Sequence, residues 1–335
     1  MSTSLLDLLS GAALRLLGRS GAVLCYHGLT TPTLPGAGSL HVPGDALLES
    51  VDALSSLYTI VPLSDLLERR RAGRSTEGLL ALTFDDAYAS ILTASEALAA
   101  LQTPITVFPV GQTMTADGLF WWDRVDDLFA ASSHSRWRTF EDRCGLPDAF
   151  RTGQPPEYGP LRPFRQWMLA EHKGRWPERL TPLLDELEHE LERQTVQRPM
   201  TLPELNALGR RLPLEVGVHT MTHPVLPLLP DIEVQREIAD AYALIQEMCP
   251  NATPVLAVPF GLGDARVVRI ATTAGMRASL SLAGVTLRHN PPVDWLPRIC
   301  LSTDLPAWKL RLQLTGQFGG RADHQRFPDL PSPTT

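Results

Sequence analysis

The sequence predicts an α/β protein built on a parallel sheet, and three observations carry that prediction. Short apolar runs alternate with helix-like stretches on both sides of one long interruption. The runs are apolar throughout, the pattern of strands buried on both faces. Polar residues with chemistry to offer stand where several runs end, and parallel folds gather ligand sites there. A length of 335 residues allows one large α/β barrel or about two domains.

In chain order, AVLCYHGL (22–29) is a strand ending in polar residues at a turn. Helical spacing over 44–57 is followed by a strand, YTIVPL (58–63), and by a short helix, SDLLERRRAG (64–73), that closes on Gly73. LLALTFDD (79–86) is another buried strand, with a helix expected over 87–101 and a strand, PITVFPVG, over 104–111. Residues 112–200 break the rhythm. They hold five of the seven tryptophans and charged helical stretches such as LTPLLDELEHELERQ (180–194), and they read as a helical insertion. Thr201 and Glu204 form a capping box that opens the next helix. Strands follow at 214–219, 254–261, 277–282 and 295–301, with helices at 231–249 and 264–274 between them. The main domain is expected over 20–318, with a disordered tail over 319–335.

Hydrophobic residues make up 44% of the chain and charged residues 20%, enough for a core and against wholesale disorder. The net charge of −7 offers no broad electropositive surface, so no nucleic-acid partner is expected. Only Lys173 and Lys309 are lysines, and the many arginines are scattered along the chain. Cys25, Cys144, Cys249 and Cys300 form no CxxC pair, which argues against a zinc knuckle and fits a reducing compartment. No apolar run reaches the ~18 residues of a transmembrane helix. Residues 1–19 read as an amphipathic helix with Leu5, Leu9, Ala12 and Leu16 on one stripe, and make a poor secretory signal. The favoured reading docks this helix on its own domain, with a peripheral membrane contact as the alternative. A cytoplasmic location is the expectation.

Four strand ends carry chemistry, each with a plainer reading. Adjacent carboxylates Asp85 and Asp86 repel, and a metal on one would offset that cost; the plainer reading is a helix N-cap. His219 and His223, at i and i+4, can face one metal, or be two surface histidines. With Asp86 they make a two-histidine, one-carboxylate set that leaves positions for water and substrate. His27 ends the first strand, where a lone histidine is usually structural. Val258 to Gly261 is a strand–turn junction that could aim a backbone N–H at an oxyanion.

At these residues the chain resembles the NodB-type polysaccharide deacetylases, carbohydrate esterase family four. TFDD (83–86), HTMTH (219–223) and VPFG (258–261) resemble three of that family's motifs. YTIVPLSDLL, the FWWD of 120–123, MTLPELNALG and LPRI look similar too, so the resemblance runs from about residue 20 to 305. It implies a distorted (β/α) barrel of about seven parallel strands. It also implies one divalent metal ion, expected to be Zn²⁺, held by Asp86, His219 and His223. Asp85 would be the catalytic base, and the Phe260 N–H an oxyanion donor. The YHGL segment resembles the branch of poly-N-acetylglucosamine deacetylases, in which the acid histidine precedes TFDD; by that resemblance His27 is the general acid. His289, in L-R-H (287–289), mimics the late motif of the unpermuted order and is the competing candidate. The implied reaction removes N-acetyl groups from an amino sugar in a polysaccharide or glycan precursor and releases acetate. Trp121, Trp122 and Asp123 could line the sugar site, or the tryptophans could anchor the insertion.

Two departures weigh against a direct carry-over. Ala87 stands where the family has glycine after TFDD, and Ala257 where motif three has the arginine that pairs with the base. Arg298, at another strand end, is the candidate replacement. The alternatives are a metal hydrolase of another non-peptide C–N bond and a non-catalytic carbohydrate-binding homologue.

Overall fold

The computed structural model describes residues 11–13, 18–31, 40–115, 118–131, 134–148, 151, 161–189, 197–302, 305 and 307–317. Most of the expected N-terminal helix and all of the expected tail over 319–335 lie outside these residues. Eleven strands are described: β1 Ala22–Tyr26, β2 Leu29–Thr30, β3 Val42–Pro43, β4 Thr59–Ile60, β5 Leu79–Asp85, β6 Ile105–Phe108, β7 Leu214–Val218, β8 Ala252–Ala257, β9 Ala278–Ser281, β10 Trp295–Pro297 and β11 Ile299–Cys300. The main sheet runs β10-β9-β8-β7-β6-β5-β1-β11, with β4 added to β5 and every pairing parallel.

The two ends of that order are one stretch of chain. β10 pairs with β9 and β11 with β1, and only Arg298 separates them. The Arg298 N–H bonds to the Ser281 carbonyl, and Leu301 N–H to that of Cys25. Residues 295–300 thus close the sheet into a distorted (β/α) barrel of seven strands around the axis, with Arg298 on the seam. Period-two alternation then sorts the side chains. Leu24, Leu82, Val107, Val216 and Leu256 pack outward under the helices. Val23, Ala81, Phe108, Val255 and Ala257 form an inner cluster. Extended to the strand ends, the inner set reaches Cys25 and His27 on β1, Asp85 on β5 and His219 on β7.

The helices of the 112–200 stretch, Trp121–Ala131, His134–Cys144, Leu161–His172 and Thr181–His189, lie in sequence between β6 and β7. They bury a core of their own that gathers Trp121, Trp122, Trp137 and Trp167, with Trp176 packed against it. The capping box forms as expected, with Thr201 accepting from Glu204 N–H and opening the helix Leu202–Arg211. The helix expected over 87–101 starts late. Asp86 and Ala87 take left-handed φ values of 64° and 52°, Ala87 O accepts from Met200 N–H, and Ala89 N–H bonds to Arg198 O. Pairing with 198–200 uses the backbone groups that a helix start would need, so a 3₁₀ turn, Ala89–Ala94, precedes the short helix Ser95–Ala100. Among the described residues no helix is long and apolar enough to cross a membrane.

Candidate active site

Five of the eight non-glycine residues with left-handed φ among those described cluster at one end of the barrel: Asp86, Ala87, Thr220, His223 and Phe260. Such conformations cost an L-residue on the order of 1 kcal/mol each. They lie in the turns that follow β5, β7 and β8. There they bend Asp86, His223 and Phe260 back over a cavity of about 220 Å³, which His27, Asp85 and His219 also line.

Asp86, His219 and His223 are buried together. His219 Nε2 lies 3.5 Å and His223 Nε2 3.7 Å from Asp86 Oδ1, and the two imidazole nitrogens are 3.2 Å apart. Three ligands of a tetrahedral zinc would be separated by roughly 3.4 Å, given bonds near 2.1 Å. Asp86 Oδ1 is buried without a hydrogen-bond donor, an expensive position for a carboxylate with no cation beside it. Burial pushes the Asp86 carboxyl up to about 8, with Asp85 adding to the rise against the opposing effect of His27. Burial also lowers His219 to about 4 and His223 well below the usual histidine range, so both rings are neutral. His219 Nδ1 donates to the Ala257 carbonyl at 2.8 Å, which leaves Nε2 as a bare lone pair aimed at the carboxylate. This donor set fits one divalent cation.

Asp85 faces the other way. Arg298 grips it with two bonds of 2.7 Å, Nη1 to Oδ1 and Nη2 to Oδ2, and both side chains are buried. Burial alone would raise the Asp85 carboxyl, but Arg298 and the His219 and His27 rings outweigh it and hold it well below the usual carboxylate range. The guanidinium missing at Ala257 therefore reaches the site from the barrel seam. Burial disfavours the His27 imidazolium, yet Cys300 and the two aspartates outweigh that effect and push the ring up to about 9.

The aromatic candidates divide. Trp121 and Trp122 both line the cavity, and the Trp122 ring lies 4.6 Å from that of His223. Each also anchors: Trp121 Nε1 donates to Gly174 O at 3.0 Å and Trp122 Nε1 to the Tyr88 hydroxyl at 2.8 Å. Asp123 does not line the cavity. It is buried behind Trp122, accepting from His41 Nε2 at 2.8 Å and from the Tyr88 hydroxyl at 2.6 Å, so both its oxygens are occupied by protein. The turn Leu287–His289, which carries His289, donates from Leu287 N–H to Gly21 O ahead of β1, at the opposite end of the strands from His27.

Several contributors were not legible as site residues. Glu237 is buried and accepts from the Met221 and Thr222 N–H groups and the Thr222 hydroxyl, fixing the loop between the two histidines. Arg175, which follows the helix Leu161–His172, donates to Glu237 at 2.8 Å. Cys25 and Cys300, far apart in sequence, are direct partners in the β1–β11 register. Cys25 Sγ lies 3.4 Å from Asp85 Oδ2. A glutamate within a helical pattern and two lone cysteines carry no signal of this kind.

Residues 164–279 match the sequence family described as polysaccharide deacetylase. That match spans about a third of the chain and is a resemblance to the family over those residues. The match includes both histidines of the candidate metal set, while TFDD lies outside it. No curated protein matches the chain in sequence. Its fold is similar to that of the Streptococcus pyogenes deacetylase PplD in complex with acetate, at 12% identity and a TM-score of 0.55, covering 89% of this chain and 99% of that one. IcaB from Ammonifex degensii superposes at 16% identity and 0.56, covering 89% and 98%. A de-N-acetylase from Aggregatibacter actinomycetemcomitans gives 13% and 0.53, covering 87% and 98%. At these identities the likeness is one of fold.

Proposed function

We propose that this protein removes the acetyl group from an N-acetylated amino sugar in a polysaccharide or glycan precursor, with Asp85 as base and His27 as acid. The observation that carries the reading is the convergence on one small cavity of an arginine-clamped carboxylate, a buried imidazole and a three-ligand set. Asp86, His219 and His223 would hold the divalent ion, which we take to be Zn²⁺. When bound, such an ion supplies Lewis-acid polarisation of the amide carbonyl and makes water more acidic.

The chain's own residues do the rest. The Arg298 fork fixes the Asp85 carboxylate; Oδ2 also accepts from Cys25 Sγ, and Oδ1 keeps a lone pair beyond the one given to the guanidinium. A carboxylate held so far below its ordinary range is a weak base. It accepts a proton from the attacking water as the tetrahedral centre forms, rather than beforehand. His27 is charged at neutral pH and donates a proton to the departing amine, so acetate and a free amino sugar leave. The Phe260 N–H is the proposed oxyanion donor, in a turn whose left-handed φ of 57° re-aims the backbone after β8. Trp121 and Trp122 would stack on the sugar. Asp123 would hold Trp122 in place through Tyr88 instead of touching substrate. A cavity of about 220 Å³ is below the usual range for a whole ligand, which suits the acetamido end of one sugar while the remainder lies outside.

The names of the neighbours, a deacetylase with acetate and a de-N-acetylase, support the same chemistry. A reducing compartment is the proposed setting, supported by four cysteines that are all free. The test is acetate release from a panel of N-acetylated saccharides, with and without a chelator. Chelator-sensitive release supports the reading. Release from a cyclic amide alone would favour the other C–N hydrolase, and no release from metal-loaded protein would favour a binding homologue.

A further inference from the structure

Beside the acid–base pair lies a group that the proposed reaction leaves unused. One sulfur from each of Cys25 and Cys300 and one His27 ring nitrogen all lie within 4.8 Å of one another. The arrangement is built into the sheet. Cys25 faces Cys300 in the β1–β11 register, and His27 follows Cys25 by two residues. We propose that Cys25, His27 and Cys300 form a second cation site, taking a soft, thiophilic divalent ion, and that an ion held there withdraws His27 from proton transfer.

Four features support the site. Around an ion with metal–sulfur bonds near 2.3 Å and metal–nitrogen bonds near 2.0 Å, three such ligands sit roughly 4 Å apart, within the observed spread. Charge balances as well: two thiolates neutralise a divalent cation, and the adjoining Arg298–Asp85 pair is already neutral as a unit, so loading adds no net charge to a buried place. His27 Nδ1 is buried with no hydrogen-bond partner, and the ring as a whole is 6% exposed. There is also a way in, since His27 lines the cavity and Cys300 is only half-buried. Two sulfurs and one nitrogen favour softer ions than the oxygen and two nitrogens of Asp86, His219 and His223. Binding breaks the two S–H bonds and forms two metal–sulfur bonds, the protons leaving to solvent. It also displaces the proton from the liganding nitrogen of the charged His27 ring, which leaves to solvent as a metal–nitrogen bond forms, so that nitrogen can no longer carry a proton.

The inhibitory half of the proposal rests on His27 being the acid, while the binding half does not. The test uses the full chain, loaded with its first metal, kept reduced with a phosphine and titrated with Cd²⁺. Thiolate-to-cadmium charge-transfer absorption responds to sulfur ligands alone. One ion per chain is expected to develop the band. Cys25→Ser and Cys300→Ser should each weaken it at least about tenfold in affinity, and Cys144→Ser and Cys249→Ser should leave it unchanged. X-ray absorption of the cadmium-loaded wild type needs no variant and should find two sulfurs and one nitrogen. Absence of the band, a band that follows Cys144 or Cys249, or a coordination shell without sulfur would overturn the site. Acetate release should fall along the same titration. A full band with undiminished acetate release would keep the site and sink the acid role of His27.

Discussion

Replacing Arg298 with methionine tests the pair on which the proposed base depends. Arg298 and Asp85 are 0% and 2% exposed and share two bonds of 2.7 Å. Methionine fills much of the space but leaves the carboxylate buried and uncompensated, a change that costs about 3–5 kcal/mol. The arginine also donates to Thr83 Oγ1 at 3.2 Å and lies over the Phe108 ring, contacts that methionine keeps only in part. Asp85→Asn strands the guanidinium instead and should cost a similar amount. The double variant Arg298→Met/Asp85→Asn buries neither charge. Much of the loss should return, with a coupling energy of about 2–3 kcal/mol. Urea unfolding of the four proteins at neutral pH measures this, because a domain of ordinary stability has about 5–15 kcal/mol to lose. A loss below about 1 kcal/mol for Arg298→Met, or simple additivity in the double variant, would refute the pairing.

Three further outcomes follow from the geometry. His27→Ala should retain the metal and lose about 10²–10⁴-fold in rate, whereas His289→Ala, on a turn at the opposite end of the strands, should be near neutral; paired elemental analysis and acetate release decide it, and the reverse pattern would restore the unpermuted motif order. Glu237→Gln should loosen the loop between His219 and His223 and reduce metal affinity about 10–100-fold, measured by chelator competition, and unchanged affinity would mean the loop holds itself. Hydrogen bonds from Arg198 lower Glu204 from 4.5 to about 2, so its contribution is present above pH 4.5 and is lost as pH falls toward 2. Glu204→Gln should therefore cost about 1 kcal/mol at pH 7, less in salt because the pair is largely exposed, and almost nothing near pH 2; a cost that stays constant with pH would assign the effect to the cap geometry alone.

Much of the barrel was legible because its strands are short, apolar and separated by helices, and hydrophobic period alone marks them. The ends of β1, β5, β7 and β8 stood out for the same reason, since His27, Asp85 and His219 interrupt apolar runs. What escaped is tertiary. The helix start expected at Ala87 gives way to pairing with Met200 and Arg198, contacts more than a hundred residues away in sequence. Asp123 beside two tryptophans looks like a sugar ligand, until His41 and Tyr88 are seen to take both its oxygens. Arg298 stands out in the sequence only by its place at a strand end. Its reach to Asp85 depends on barrel closure, in which residues 295–300 join β9 to β1. Cys25 and Cys300 meet through the same closure, and spacing along the chain gives no hint of it.

The central claim is that the two adjacent aspartates have different tasks, Asp86 holding the metal with His219 and His223 while Asp85 handles the proton. Metal content and acetate release measured together on purified Asp85→Asn and His219→Ala test it most directly. The account predicts that Asp85→Asn keeps about one divalent ion per chain and releases no acetate, and that His219→Ala loses both the ion and turnover. A metal-free Asp85→Asn, or a His219→Ala protein with its ion undiminished, would contradict it.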